Sequence, residues 1–450
     1  MSAGRRQDAT PAMAETVMGR HMRVINGTKR RALLVGVGAA LVTLGLSACT
    51  QPAQPPMAEQ TTTPVEKPWN YTPEMLDGKT RFDSQQAVAL AEPFTGVRSS
   101  SGTVAGLFSI TATGVSTEPI RLAAEGFLGT LTPAQKLRTQ FGIGDPEWRR
   151  WYNIDNGLSV RQGVSLKEMT AAQKTSAFAL MRASLSARGF ALTEAIRKTD
   201  QTLRELNDGE PWLDEDLYYF TLMGIPSPVE PWGWQLDGHH LIINYFVLGD
   251  QVVMTPSFFG TEPAVTRTGA YAGNVVLQDE QAAGLALMQS LDADQRRRAT
   301  LDSRKAGTNM KAGANADNLV LDYAGVRVGT MSAPQQAQVL ALIDRFVGTM
   351  DEGHARVRMA EVAAHLDETW FAWIGEATDD AVFYYRIHSP VILIEFDHQA
   401  PVGSRRINER GRPTRDHIHT VIRTPNGNDY GKDLLGQHLA SHHSGSAGGR

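Results

Sequence analysis

WGWQLDGHHLIINY (residues 232–245) and FYYRIHSPVILIEF (residues 383–396), 151 residues apart, decide how the fold of this chain is read. Laid over one another, their apolar positions fall in register. Each joins two runs of β-branched and aromatic residues through a short break, Asp237-Gly238 in the first and Ser389-Pro390 in the second, the pattern of strand, turn and strand. Strands are therefore expected over residues 240–248 and 391–397, and the alternation in DHIHTVIR (residues 416–423) adds another over 417–424.

Further matches lie outward from this pair. LTPAQ from Leu131, MTAAQ from Met169, LDADQ from Leu291 and MSAPQ from Met331 each read as a helix start. Thr, Asp or Ser caps the helix, Gln three residues on closes a capping box, and the preceding Leu or Met supplies a hydrophobic staple. Leu131 and Leu291 are 160 residues apart, Met169 and Met331 are 162 apart. LDEDLYYF from Leu213 finds a counterpart in LDETWFAW from Leu366, and VVMTP from Val252 in VIRTP from Val421, in the same order along the chain. Collinear matches at a near-constant offset imply an internal duplication, with copy one over residues 117–276 and copy two over residues 277–440. The expected fold is α+β: two pseudo-symmetric repeats, each of several helices followed by antiparallel strands, whose two sheets meet at a pseudo-two-fold axis. Residues 76–116 form an N-terminal extension, a helix followed by an extended segment rich in Ser, Gly and Thr.

Of the 450 residues, 42% are hydrophobic and 20% charged, the mix of a globular protein. A net charge of -4 supplies no basic field for a polyanion, which excludes nucleic acid as a partner. Lys29-Arg30-Arg31 followed by ALLVGVGAALVTLG (residues 32–45) reads as the basic and apolar parts of a signal peptide. The apolar run is shorter than the roughly 20 residues that a bilayer core requires. It ends in Leu46-Ser47-Ala48-Cys49, which resembles the bacterial lipobox, where the thiol takes a lipid. Cys49 is also the only cysteine, so no disulfide forms within the chain. The expectation is an exported lipoprotein held to a membrane through Cys49, at the cell surface or in the periplasm. Residues 1–49 would be its signal segment with lipobox, residues 50–75 a flexible linker rich in Pro, Thr and Gln, and residues 441–450 a flexible tail.

Candidate chemistry concentrates near the C-terminal end. Alternation puts His417, His419, Val421 and Arg423 on one strand face, and imidazoles two residues apart on a strand are close enough to share a metal ion. The positions matching them in copy one fall near the Gly249-Asp250 turn, where there is no histidine. Copy one still offers His240, in the turn aligned with His388 of copy two, so the two turns would converge if the sheets meet. The expected metal ligands are His417, His419, His240 and His388. Glu395 would serve as carboxylate or base, and Arg386 and Arg423 as clamps for a carboxylate or phosphate. Two other readings of these residues stay open: histidines acting in acid–base chemistry or ligand binding without metal, and histidines capping strands with arginines paired to Glu395 or Asp429.

WGWQLDGHH (residues 232–240), YYRIH (residues 384–388), IEFD (residues 394–397), His417-Ile-His419 with Arg423, and NDYGKDLL (residues 428–435) with His438 together resemble the bacterial and fungal domain-of-unknown-function family 3500. Ser389 stands where that family is expected to carry Gly, a change a turn absorbs. The resemblance implies a shared fold and no established activity. From the residues, the leading expectation is a divalent-metal site, zinc or similar, in a hydrolase of a small extracellular substrate. The alternative is a non-enzymatic lipoprotein that binds a small ligand or a metal. There is no Gly-x-Ser-x-Gly nucleophile elbow and no Gly-rich phosphate loop.

Overall fold

The computed structural model describes residues 70–443. The signal segment, Cys49 and most of the linker lie outside the described residues. Among the described residues no helix is long and apolar enough to cross a membrane.

The helices are α1 (Pro73–Ala91), α2 (Glu118–Thr130), α3 (Pro133–Thr139), α4 (Ala171–Ser184), α5 (Ala187–Leu206), α6 (Gln278–Ser290), α7 (Ala293–Ala299), α8 (Ala333–Val347), α9 (Glu352–Ala364) and α10 (Lys432–His443). The four quoted helix starts open α3, α4, α7 and α8. Each carries a reciprocal capping box: Thr132 with Gln135, Thr170 with Gln173, Asp292 with Gln295 and Ser332 with Gln335. The side chain and backbone of each pair thus satisfy donors that a helix N-terminus leaves open.

The strands are β1 (Gln140–Phe141), β2 (Val164–Ser165), β3 (Tyr219–Met223), β4 (Trp232–Gly238), β5 (Leu241–Leu248), β6 (Gln251–Val253), β7 (Ser257–Thr261), β8 (Thr300–Asp302), β9 (Val326–Arg327), β10 (Trp370–Gly375), β11 (Phe383–His388), β12 (Leu393–His398) and β13 (Ile418–Arg423). They form one mixed sheet, where two antiparallel sheets were expected. Its main path runs β1-β3-β4-β5-β7-β13-β12-β11-β10-β8, with β2 beside β3, β6 beside β5 and β9 beside β10. The β1–β3 and β8–β10 pairs are parallel. The turn between β4 and β5 is made by His239 and His240, two residues beyond the expected Asp237-Gly238, because β4 pairs through Gly238.

All eight residues of β5 are buried, as a central strand covered on both faces requires. Ile243 and Tyr245 join Phe127, Trp234, Phe259, Phe346 and Ile394 in a core on the helix-covered face. Ile242 and Phe246 join Trp148, Trp151, Phe258, Val421 and Tyr430 on the other. Much of that second face is covered by irregular chain, whose backbone amides and carbonyls have no ladder and need side-chain partners. Glu395 accepts from the amides of Lys311 and Ala312 and from the Tyr384 hydroxyl. Asp397 accepts from the amides of Asn309 and Met310 and pairs with Lys305. The fully buried Arg423 donates to the carbonyls of Ala312 and Gly313 and pairs with Asp317 at 2.9 Å and Asp429 at 3.1 Å. Burial pushes the Asp429 carboxyl up to about 6 against the pull of Arg423.

Arg423→Ala would leave the buried Asp429 without its cation and Asp317 with Arg149 alone, so a loss of about 3–5 kcal/mol is expected in urea denaturation. A loss below about 1 kcal/mol would show that the network adds little beyond packing.

Candidate metal centre

β13 presents His419 and, at its entrance, His417, while β7 runs antiparallel beside it with Gly260 opposite His419. His240 closes the β4–β5 turn in the left-handed region, φ 60°. Its amide donates to the Asn153 carbonyl at 3.2 Å, and its carbonyl accepts from the Gly260 amide at 2.7 Å. A Cβ on residue 260 would stand 3.1 Å from Cδ2 of His240. The absent side chain of Gly260 thus makes room for the third imidazole.

The three rings converge through their Nε2 atoms: His417 to His419 at 2.9 Å, and His419 to His240 at 3.1 Å. Nδ1 of His417 lies 2.7 Å from the Ala400 carbonyl, which can only accept, so Nδ1 carries the proton. The Nε2 of a neutral His417 is then a lone pair aimed inward. Nε2 of His419 faces two ring nitrogens with one in-plane position. It cannot donate along that position to one and accept along it from the other. Three lone pairs on one cation remove the conflict, and their ligand atoms all lie within 4.8 Å of one another. Tetrahedral zinc at about 2.0–2.1 Å from each nitrogen would need separations of about 3.3 Å, a few tenths beyond those seen.

The electrostatics keep two of these rings neutral, the form that binds metal. Burial, then the neighbouring imidazoles, push His240 and His419 well below the usual histidine range. His240 and His417 are buried and His419 is part-exposed.

Outer groups hold the rings in place. His239 stacks on His240 at 3.9 Å between centroids. Its Nδ1 lies 2.5 Å from Asp200 Oδ1, and the Tyr218 hydroxyl donates to Asp200 Oδ2 at 2.8 Å. Burial opposes charge on His239, but Asp200 outweighs it and the pKa is raised. Glu262 accepts from the amides of Val402, Gly403 and Ser404 and from the Ser404 hydroxyl. It thereby pins the segment whose Ala400 carbonyl orients His417. Oriented second partners of this kind fix tautomer and ring angle in histidine metal sites.

Of the residues singled out in the sequence, the structure brings together His240, His417 and His419. His388 is not with them. It lies two strands away, opposite Leu393, which itself faces Arg423 at the far end of β13. Its ring packs 4.5 Å from that of Tyr323, and burial, then Arg386, push its pKa down to about 3. Glu395 and Arg423 are committed to the irregular covering segments, and Arg386 donates to the Asp322 carbonyl at 3.4 Å. Sequence reasoning missed His239, Asp200 and Glu262. The doubled histidine at residues 239–240 was the one available signal; Asp200 and Glu262 reach the site only through the tertiary fold.

His388 and His398, both buried and held neutral below their usual range, predict acid sensitivity. Their folded pKa values are depressed, so the unfolded chain takes up protons first as pH falls below about 6.5, and stability drops. The decline should reach up to about 1.4 kcal/mol per pH unit for each histidine, and His388→Phe should flatten it toward pH 3. Identical urea-midpoint profiles for parent and variant would remove His388 from this account.

No curated protein and no solved structure matches the chain. The family model described as Protein of unknown function (DUF3500) matches residues 113–432, and on that match the chain belongs to this family.

Proposed function

We propose that the protein is an exported lipoprotein in which His240, His417 and His419 hold a divalent metal such as zinc, and that this centre hydrolyses a small extracellular substrate. The observation that carries the reading is the convergence of three Nε2 atoms, with the His417 one left as a lone pair by the Nδ1 bond to the Ala400 carbonyl. Three protein ligands with one part-exposed side suit a catalytic ion better than a stored one, which would be closed by a fourth protein ligand. Glu262, the nearest carboxylate recorded at His417, is spent on backbone amides. A divalent ion held by these three residues would supply a water whose pKa is lowered toward about 7. The chain's own residues supply the neutral rings, their orientation and a largely dry surround.

The duplication belongs to the same proposal, and strand register supports it. Gln140 stands opposite Leu222 as Thr300 stands opposite Trp373, and Val164 opposite Phe220 as Val326 opposite Phe371. Tyr219 faces Asp237 as Trp370 faces His388, and Gly233 faces Phe246 as Tyr384 faces Asp397. These pairs keep the offsets of 160, 162 and 151 residues found in the sequence. On this reading one half supplies His240 and the other His417 and His419.

The chain purified from the cytoplasm without an affinity tag should carry close to one equivalent of metal by mass spectrometry. His417→Ala/His419→Ala should lose it and remain folded by circular dichroism. Metal absent even after reconstitution would defeat the reading. Hydrolysis of one class in an ester, amide and phosphate panel, abolished by chelator and restored by zinc, is the expected activity; tight metal without turnover would favour a carrier. For the anchor, Cys49→Ser should move the exported protein from the membrane fraction to the soluble one, and retention in the membrane would argue against lipidation.

A further inference from the structure

The β7–β13 pair has two ends. At one, His419 faces Gly260; at the other, Ile422 faces Ser257, and there a cavity of about 250 Å³ opens between the sheet, α9 and residues 107–113. Its apolar wall includes Phe108, Met254, Phe259, Met350, Ile392 and Ile422. The polar groups that reach it are committed elsewhere. Arg358 donates to the Val391 carbonyl at 2.6 Å and the Thr424 hydroxyl at 3.0 Å and pairs with Glu361. His354 is held between Asp351 at 2.6 Å and the Asp250 carbonyl at 3.2 Å. The Ser257 hydroxyl donates to the Met254 carbonyl, and the Thr255 and Thr424 hydroxyls bond each other.

The position of this cavity is not arbitrary if the chain is duplicated, and this part rests on that reading. Leu393 is then the counterpart of Ile242, and their partners, Arg423 and Phe258, are counterparts in turn. Further along the same ladders, Asp397 is the counterpart of Phe246, and their partners are His419 and Val253, so His419 falls on Val253, which lies in the cavity wall. The cavity thus borders, in one half, the position that His419 holds in the other, with an aliphatic side chain in place of the imidazole.

We propose that this cavity is a second ligand site, for an uncharged, mainly apolar molecule. Its volume exceeds the roughly 150 Å³ of an apolar cavity that takes benzene, which suits a ligand on the order of ten non-hydrogen atoms. The pairing of Arg358 and His354 sets the charge: Arg358 is already neutralised by Glu361 and His354 is held by Asp351, so an anionic head would lose its water beside carboxylates, without an unpaired cation to meet it.

The test titrates the full chain as purified with octan-1-ol and with octanoate at pH 8, by calorimetry and by thermal shift. Octan-1-ol is expected to bind with a Kd of about 1 mM or tighter and to raise the melting temperature, with octanoate at least about tenfold weaker. Val357→Trp, at an exposed α9 position on the cavity wall, should weaken octan-1-ol at least about tenfold. Ile392→Phe fills the cavity from the sheet side and should do the same if the first variant does not fold. Absence of octan-1-ol binding, equal affinity for octanoate, or binding unchanged in the folded variants would each overturn the proposal. None of these readouts depends on metal, so failure here and failure of the metal centre are separate results.

Discussion

The antiparallel ladder between β7 and β13 is the constraint on which the remainder rests. Five residue pairs, from Ile418 opposite Thr261 to Ile422 opposite Ser257, join segments far apart in the chain. Without it, each strand would end a half-sheet with a row of unpaired amides and carbonyls, an edge prone to unwanted pairing. With it, two edges become the middle of one sheet and both faces of β5 and β13 can be covered. The loop-closure entropy of so long-range a pairing is offset by the apolar surface that both covering layers then bury.

That second covering layer accounts for the abundance of buried acids. Helices satisfy their own backbone, whereas the irregular segments over Val421 and Phe258 do not. Glu395, Asp397 and Glu262 each sit where amides converge. Arg423 does the converse for carbonyls. The acids differ in the balance that results. Burial dominates at Glu395 and Asp397 and raises both, whereas at Glu262 the neighbouring His417 ring and a dense set of donors overcome burial and lower it.

This division also explains what could be read in the sequence. The helix starts at Thr132, Thr170, Asp292 and Ser332 were legible because a capping box is local, complete within four residues. Strand periodicity likewise exposed β5, β12 and β13. His417 and His419 share a strand face, so their proximity followed from alternation, and His240 was reached because a turn aligned with copy two. His388 was grouped with them on the assumption that aligned turns converge. In the single sheet, β12 and β13 separate β11 from β7, and His388 stands at the opposite end. Glu395, Arg386 and Arg423 looked like chemistry because an acid and two arginines on strands resemble a site. Apart from Tyr384 and Asp429, their partners lie in residues 309–322, a stretch with no periodicity to announce that it folds over the sheet.

The histidine cluster also has a position in time. His240 belongs to the first half of the chain's folding sheet, and His417 and His419 to its last strand, so the three Nε2 atoms meet only after the most distant pairing closes. High contact order makes that step late. A chain still emerging, or clipped between β7 and β13, would hold no three-ring site. A ligand requiring all three imidazoles would therefore be refused by incomplete molecules and accepted by finished ones.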